Sequence, residues 1–140
     1  MVNMYIKGMR MVILLNKLIN GKQYLIKIKH GKQIGYSIQY YFDKVPARDS
    51  GFYKHKWSDK AVNVLGWHEL PDYKWFRDYQ SMSAPLPGYR YLCWRPDALD
   101  VSIGHCCLRT ADRHGYFAND DIVAYKILGF FNCFNEETRY

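Results

Sequence analysis

The chain has 140 residues, of which 49% are hydrophobic and 17% aromatic. This length and apolar content predict a single domain over residues 1–140 with one buried core, and they argue against intrinsic disorder. The net charge of +7 is unevenly placed: residues 1–60 carry twelve Lys or Arg against three Asp, whereas residues 61–140 carry eight basic and ten acidic residues. The first part is therefore expected to meet a polyanionic or acidic partner, or to present a solvated lysine face.

The first predicted element is an antiparallel three-stranded β-meander over about residues 10–19, 22–29 and 33–42. Asn20-Gly21 between two apolar runs signals a hairpin, because a type I′ turn requires positive φ at both central residues. For the second connection, a three-residue loop pairs Ile28 with Ile34 and keeps apolar residues together. The predicted buried face consists of Ile13, Leu15, Tyr24, Ile26, Ile28, Ile34, Tyr36 and Ile38. The reverse face, with Lys27 and Lys29, is expected to be mostly hydrated.

An apolar run over residues 11–15 precedes the first turn, but it is too short for a secretory signal or a membrane span. The chain is therefore expected to be cytoplasmic, with no membrane partner. Residues 43–59 are polar and rich in turn formers, which predicts a long loop of the kind that often carries function.

A short helix is predicted after Pro71-Asp72, because Tyr73, Trp75, Phe76 and Tyr79 are spaced to share one side. This aromatic side is expected to cover the apolar face of the meander, and an aromatic binding strip is the less favoured alternative. Residues 84–88 form a connector that cannot continue the helix.

The last third of the sequence predicts further strands, at residues 89–95 and 101–110 around a turn at Pro96-Asp97, and a second turn at residues 112–115. Residues 119–129 suit either a capped helix or a strand, and their short length favours the strand. Together these elements predict an α+β fold: a mostly antiparallel sheet that begins with the N-terminal meander, with one or two short helices packed on one face.

Residues 121–127, Asp-Ile-Val-Ala-Tyr-Lys-Ile, resemble the DIVAYR stretch that recurs near the ends of many small bacteriophage proteins. The resemblance covers seven residues, with Lys126 where those proteins usually have Arg. It implies a phage origin and hence a location in the host cytoplasm. It implies no activity and no catalytic residue.

The cysteines are expected to be reduced, and the adjacent Cys106 and Cys107 would point to opposite faces of a strand. Thiols and imidazoles are the ligands of structural zinc, but no Cys-x-x-Cys pair is present, so neither a metal nor a cofactor is predicted. The less favoured zinc ligands are Cys93, His105, Cys107 and His114. A cysteine nucleophile needs a base within reach, which the sequence does not indicate, so an enzyme is less favoured than a binding protein and no catalytic residue is predicted.

The favoured function is that of a non-enzymatic phage accessory protein that binds and inhibits a host macromolecule, such as a defence factor. A host protein is the favoured partner, because aromatic and Arg residues are enriched at interface hot spots. The first alternative is direct nucleic-acid binding by the basic sheet face, and the second is sequestration of a small anionic ligand. The residues predicted for partner or nucleic-acid binding are Lys27, Lys29, Lys32, Arg90, Tyr91 and Arg95. The sequence leaves the oligomeric state open.

Overall fold

The computed structural model describes residues 18–43, 49–118 and 121–131, together with the backbone of residues 135–136. Nearly all of the first predicted strand, residues 10–19, lies outside this part of the chain. The described elements, in chain order, are β1 (Gln23–His30), β2 (Gln33–Phe42), β3 (Gly51–Tyr53), β4 (Val64–Glu69), α1 (Tyr73–Tyr79), β5 (Arg90–Pro96), β6 (Gly104–Thr110), β7 (Ala124–Ile127), a short 3-10 helix (Leu128–Phe130) and β8 (Asn135–Glu136).

The strands form two sheets, which are mostly antiparallel, and the α+β prediction is confirmed. The first sheet has the order β3-β2-β1-β4-β8, and the second has the order β6-β5-β7. The chain divides into two compact units, Met1–Trp67 with Asn135–Tyr140 and His68–Phe134. The single domain over residues 1–140 stays a prediction. No helix in the described ranges is long and apolar enough to cross a membrane.

β1 and β2 form a hairpin whose loop contains two residues, Gly31 and Lys32, with His30 opposite Gln33. The predicted three-residue loop is therefore wrong. Gly31 has φ of +60°, whereas Lys32 does not adopt a positive φ. A glycine of this kind at the first central position is typical of a type II′ turn, whose twist matches that of two paired strands.

The shorter loop shifts the pairing by one residue from the prediction. Ile28 lies opposite Gly35, and Ile34 lies opposite Lys29. Because a shift of one residue moves every side chain of a strand to the other face, Ile34, Tyr36 and Ile38 lie on the lysine side of the sheet. Their predicted place in the buried face is wrong.

The turn at Asn20-Gly21 is present as predicted, and the amide of Lys22 donates to the carbonyl of Ile19 at 3.2 Å. Only Gly21 has a positive φ there, +84°, so the turn is not type I′. The Gly21 amide donates to the Tyr41 carbonyl at 2.6 Å, and the Tyr41 amide donates to Lys22 at 2.9 Å. Two residues thus oppose one, which is the pattern of a G1 bulge with glycine in its first position.

The other side of the first sheet holds the core of the first unit. Its buried members are Tyr24, Ile26, Ile28, Tyr41, Phe52 and Trp67, with Leu18, Ala61 and Val64 packed around them. The Tyr24 ring meets Trp67 edge-on, with ring centroids 5.2 Å apart. These core side chains all belong to the first unit. The buried Phe76 of α1 packs on Trp94 of β5 within the second unit, with ring centroids 6.1 Å apart, and the predicted cover of the meander by α1 stays a prediction.

A short strand, β3, lies inside the segment that was predicted to be a long loop. It pairs with the end of β2, with Tyr53 opposite Tyr40. Phe52 and Tyr53 are both buried, and the Tyr53 hydroxyl donates to the carbonyl of Asp49 at 2.6 Å. The segment is therefore anchored in the sheet rather than irregular throughout.

α1 begins as predicted, after Asp72, whose carboxylate accepts a hydrogen bond from the Trp75 amide at 3.0 Å. Such a cap satisfies one of the amides that the first turn of a helix leaves unpaired. The helix ends at Tyr79, and the chain at Gln80 is extended.

The second sheet is built around β5, and both faces of this strand are buried. On one face Tyr91 and Cys93 belong to a core with Ala111, while Leu92 and Trp94 point to the other face. Cys107 lies opposite Cys93 and Cys106 opposite Trp94, so the adjacent cysteines point to opposite faces as predicted. The predicted strand within residues 119–129 is confirmed as β7.

Candidate functional site

One side of the β1–β2 hairpin carries lysines next to aromatic and apolar side chains, and it is exposed towards the loop end of the hairpin, whereas Leu25 on the same side is buried. Lys27 lies opposite Tyr36 and Lys29 opposite Ile34, and residues opposite one another in an antiparallel pair share a face. Lys29, Lys32 and Ile34 are exposed, whereas Lys27 and Tyr36 are half-buried. We call these five residues the lysine face; four of them lie on β1 and β2, and Lys32 lies in the loop at the end of the hairpin.

The charged residues of the β1–β2 hairpin itself are all basic. Residues 18–42 contain no Asp or Glu, and the first acid is Asp43. The described part of the first unit has seven lysines against three aspartates and Glu136, whereas that of the second unit has seven basic and seven acidic residues. The excess positive charge of the described residues therefore belongs to the first unit.

A second basic element follows β3, and the sequence-based prediction did not single it out. We call it the basic turn, and its members are Lys54, His55, Lys56, Trp57, Ser58, Asp59 and Lys60. Trp57 is 80% exposed, and the Lys56 ammonium lies 5.4 Å from the centre of the indole. The pattern Lys-His-Lys-Trp was the one signal in the sequence that could have indicated this basic turn. A Trp in a turn-rich segment, however, serves equally well as a core anchor.

The other predicted binding residues, Arg90, Tyr91 and Arg95, lie on β5 in the second unit. Tyr91 is only 3% exposed, and its ring packs edge-on against Phe117 and Tyr125 at 5.7 and 5.4 Å. Its hydroxyl accepts a hydrogen bond from the Leu86 amide at 2.8 Å. Tyr91 is therefore a core residue and offers no surface for stacking.

The two arginines differ in their surroundings. The Arg95 guanidinium is 2.6 Å from the Asp121 carboxylate, so its charge is already paired within the unit. Arg90 is exposed at the first position of β5. The structure therefore places the three predicted lysines in the first unit and the predicted β5 residues in the second.

The described thiols are not activated. Burial raises the pKa of Cys106 to about 12, and burial likewise raises the pKa values of Cys93 and Cys107. A thiol whose pKa is raised stays protonated at neutral pH, and the protonated form is a poor nucleophile. These cysteines therefore have the properties of packing residues rather than of catalytic ones.

The four residues considered as zinc ligands have separate roles. His105 Nδ1 is 2.9 Å from the Asp97 carboxylate, and His114 lies in the turn capped by Asp112. Cys93 and Cys107 face each other across β5 and β6. Within the described ranges, no three His, Cys, Asp or Glu side chains are grouped so that they could hold a metal ion.

An open cleft of about 240 Å³ lies on the second unit. Its lining residues are Pro85, Gly115, Tyr116, Phe117, Ile122, Val123 and Tyr125. No Lys or Arg belongs to this lining, so the cleft gives an anionic ligand no charged partner. The cleft therefore does not support sequestration of a small anion.

Comparisons with known protein families, curated proteins and solved structures gave no match. The phage origin implied by residues 121–127 stays a prediction. Function is therefore inferred from the lysine face and the basic turn, where the charge and the exposed aromatic surface of the first unit lie.

Proposed function

We propose that the protein is a non-enzymatic binding protein that holds nucleic acid on the lysine face of its first sheet. The observation that carries this proposal is the pairing register, which places Lys27 opposite Tyr36 and Lys29 opposite Ile34. Lysines neutralise phosphates and release counterions, and an aromatic ring beside them offers a base a surface for stacking. The predicted register would have buried Tyr36 on the opposite face, so that Lys27 and Lys29 would have had no tyrosine opposite them.

The surroundings of the lysine face support the same proposal. An approaching phosphate backbone meets no carboxylate from residues 18–42, so nothing in this stretch offsets the attraction of its lysines. Lys29 and Lys32 are exposed, so their ammonium groups can reach a polyanion without unfolding the sheet. A sheet also fixes the spacing of its side chains, which a disordered basic tail does not.

The role predicted from the phage resemblance, inhibition of a host macromolecule, is compatible with this binding. A host nucleic acid, or a protein that normally holds one, would be the target that matches a basic face. Phage origin, the inhibitory role and a cytoplasmic location all stay predictions.

The proposal is tested by removing two exposed lysines and measuring the binding of a labelled 20-nucleotide strand by fluorescence anisotropy between 50 and 200 mM salt. We expect Lys29→Ala with Lys32→Ala to weaken binding about tenfold at low salt, and to reduce the slope of log affinity against log salt by about 1.5, because two phosphate contacts are lost. The matched control is Lys74→Ala with Arg113→Ala, which removes the same charge from exposed positions of the second unit.

Two results would contradict the proposal. One is the absence of binding by the wild-type protein at micromolar concentration and 50 mM salt. The other is an equal loss of affinity in both double variants, because this would show a dependence on net charge alone and not on the lysine face.

A further inference from the structure

The backbone of the basic turn, which carries the indole of Trp57, is restrained by hydrogen bonds within the turn. The Ser58 amide donates to the His55 carbonyl at 3.1 Å, and the Ser58 hydroxyl donates to the same carbonyl at 2.9 Å. The His55 amide in turn donates to Ser58 Oγ at 3.1 Å, and the Trp57 amide donates to His55 Nδ1 at 3.2 Å. Four hydrogen bonds within four residues therefore hold the turn in one shape.

The base of the turn is tied to the first sheet. Tyr53 at the end of β3 forms a bridge with Lys60, and the amide of Ala61 donates to the Phe52 carbonyl at 2.8 Å. Both Phe52 and Tyr53 are buried. Because β3 pairs with β2, the basic turn and the lysine face belong to the same sheet.

Trp57 is held in water by this arrangement. A single exposed apolar side chain is ordinary, so exposure alone indicates nothing. Trp57 is distinguished by its neighbours in the sequence. Three lysines and a histidine lie within the same seven residues, and Asp59 is the one acid of the turn. The indole therefore presents a flat aromatic surface inside a patch of net positive charge.

This combination suits an unpaired nucleotide. An aromatic ring binds a base by stacking only when the base is out of a duplex, and lysines near it bind the flanking phosphates. A duplex needs the lysines but has no free base face for the indole. Because the turn is already ordered, little side-chain or backbone entropy is lost on binding.

An anionic membrane surface is the alternative partner that a Trp surrounded by lysines could bind. Interfacial segments insert several apolar side chains into the lipid. Trp57 is the single apolar residue among residues 54–60. The composition of the turn therefore favours a nucleic-acid strand over a lipid bilayer.

We propose that Trp57 is a stacking site for an unpaired base, and that the first unit consequently prefers single-stranded nucleic acid to duplex. This inference rests on the proposed function and names its substrate class. The lysines of the hairpin supply general attraction for phosphates, while Trp57 supplies the discrimination between a strand and a duplex.

The experiment compares Trp57→Ala and Trp57→Phe with the wild-type protein on four labelled probes: a 20-nucleotide oligo(dT), the matching oligo(rU), a 20-base-pair duplex, and a 20-unit strand of abasic sites. We expect Trp57→Ala to weaken binding of both base-containing strands at least tenfold, in line with the usual contribution of one stacked base. Duplex and abasic strand should change less than about twofold, because neither offers a base to stack. Trp57→Phe should keep most of the affinity for oligo(dT).

The control variant is Tyr116→Ala, which removes another well-exposed ring from the second unit and should leave all four affinities unchanged. A loss of duplex and abasic affinity equal to the loss for oligo(dT) would overturn the inference while leaving the proposed function intact. Unchanged oligo(dT) binding in Trp57→Ala, with loss of binding to phosphatidylserine vesicles instead, would overturn it in favour of a membrane contact. Failure of the wild-type protein to bind any of the four probes would overturn both proposals.

Discussion

Gly104, the first residue of β6, has no room for a side chain. It lies opposite Pro96 at the end of β5, and an added Cβ would collide with the carbonyl oxygen of Arg95 and lie 2.8 Å from the Pro96 Cα. Both contacts are with backbone of the neighbouring strand, which cannot rotate away as the end of a flexible side chain can. β5 and β6 would have to move apart at this end of their pairing.

We expect Gly104→Ala to lower the free energy of unfolding by about 3 kcal/mol, at the upper end of the cost of overpacking. Alanine also restricts the unfolded chain, which offsets roughly 0.5 kcal/mol of that loss. The melting temperature should fall by about 10 °C. Urea unfolding followed by circular dichroism gives the free energy, and a thermal scan gives the melting temperature.

Gly129→Ala is the matched control, because a Cβ there meets no heavy atom within 4 Å and Gly129 does not have a positive φ. Its stability should stay within about 0.5 kcal/mol of the wild-type value. A Gly104→Ala protein that also stays within about 1 kcal/mol of wild type would refute the reasoning, since it would show that the closeness of β5 and β6 imposes no constraint.

Two further predictions concern α1 and the thiol of Cys106. Asp72→Ala removes the carboxylate that accepts from the Trp75 amide at 3.0 Å, and should cost about 1 kcal/mol in urea unfolding. Asp78→Ala, which removes an exposed acid of the same helix, is the control, and equal losses would exclude capping as the cause. Burial raises the pKa of Cys106 from 9.0 to about 12, so its protonated thiol favours the folded state below pH 9, and this contribution is lost as the pH rises towards 12. Ellman's reagent at pH 8 should modify Cys106 slowly in the native protein and fast in urea, and equal rates would contradict the prediction.

Local signals in the sequence were sufficient for the turn at Asn20-Gly21 and for the helix, but the pairing register of β1 and β2 was not predictable from them. The turn at Asn20-Gly21 and the cap at Asp72 depend on residue types that act within a few positions. Register depends on which face of a strand is buried, and in β1 Tyr24 and Leu25 are both buried although they point to opposite faces. Apolar alternation could therefore not select the register, whereas Gly31 at the first position of a tight loop did so in the structure.

The same difficulty explains what was missed at the candidate site. Tyr91 was predicted to bind a partner, yet β5 is buried on both faces, so its aromatic residues belong to the core. A Trp in a turn-rich segment equally suits a buried anchor, whereas the structure shows Trp57 80% exposed in a turn held by hydrogen bonds. The lysines were found because charge is left at the surface by a folding chain whichever register the strands choose.

The pairing of β8 with β4 has a consequence for synthesis of the chain. Glu136 lies opposite Gly66 and Asn135 opposite Trp67, although the whole second unit separates these strands in sequence. Because β8 directly follows the last residue of the second unit, β4 has no β8 partner until the second unit has been synthesised. Until then β4 is an unpaired edge of the first sheet, and its pairing with β8 covers backbone groups that would otherwise be open to pairing between nascent chains.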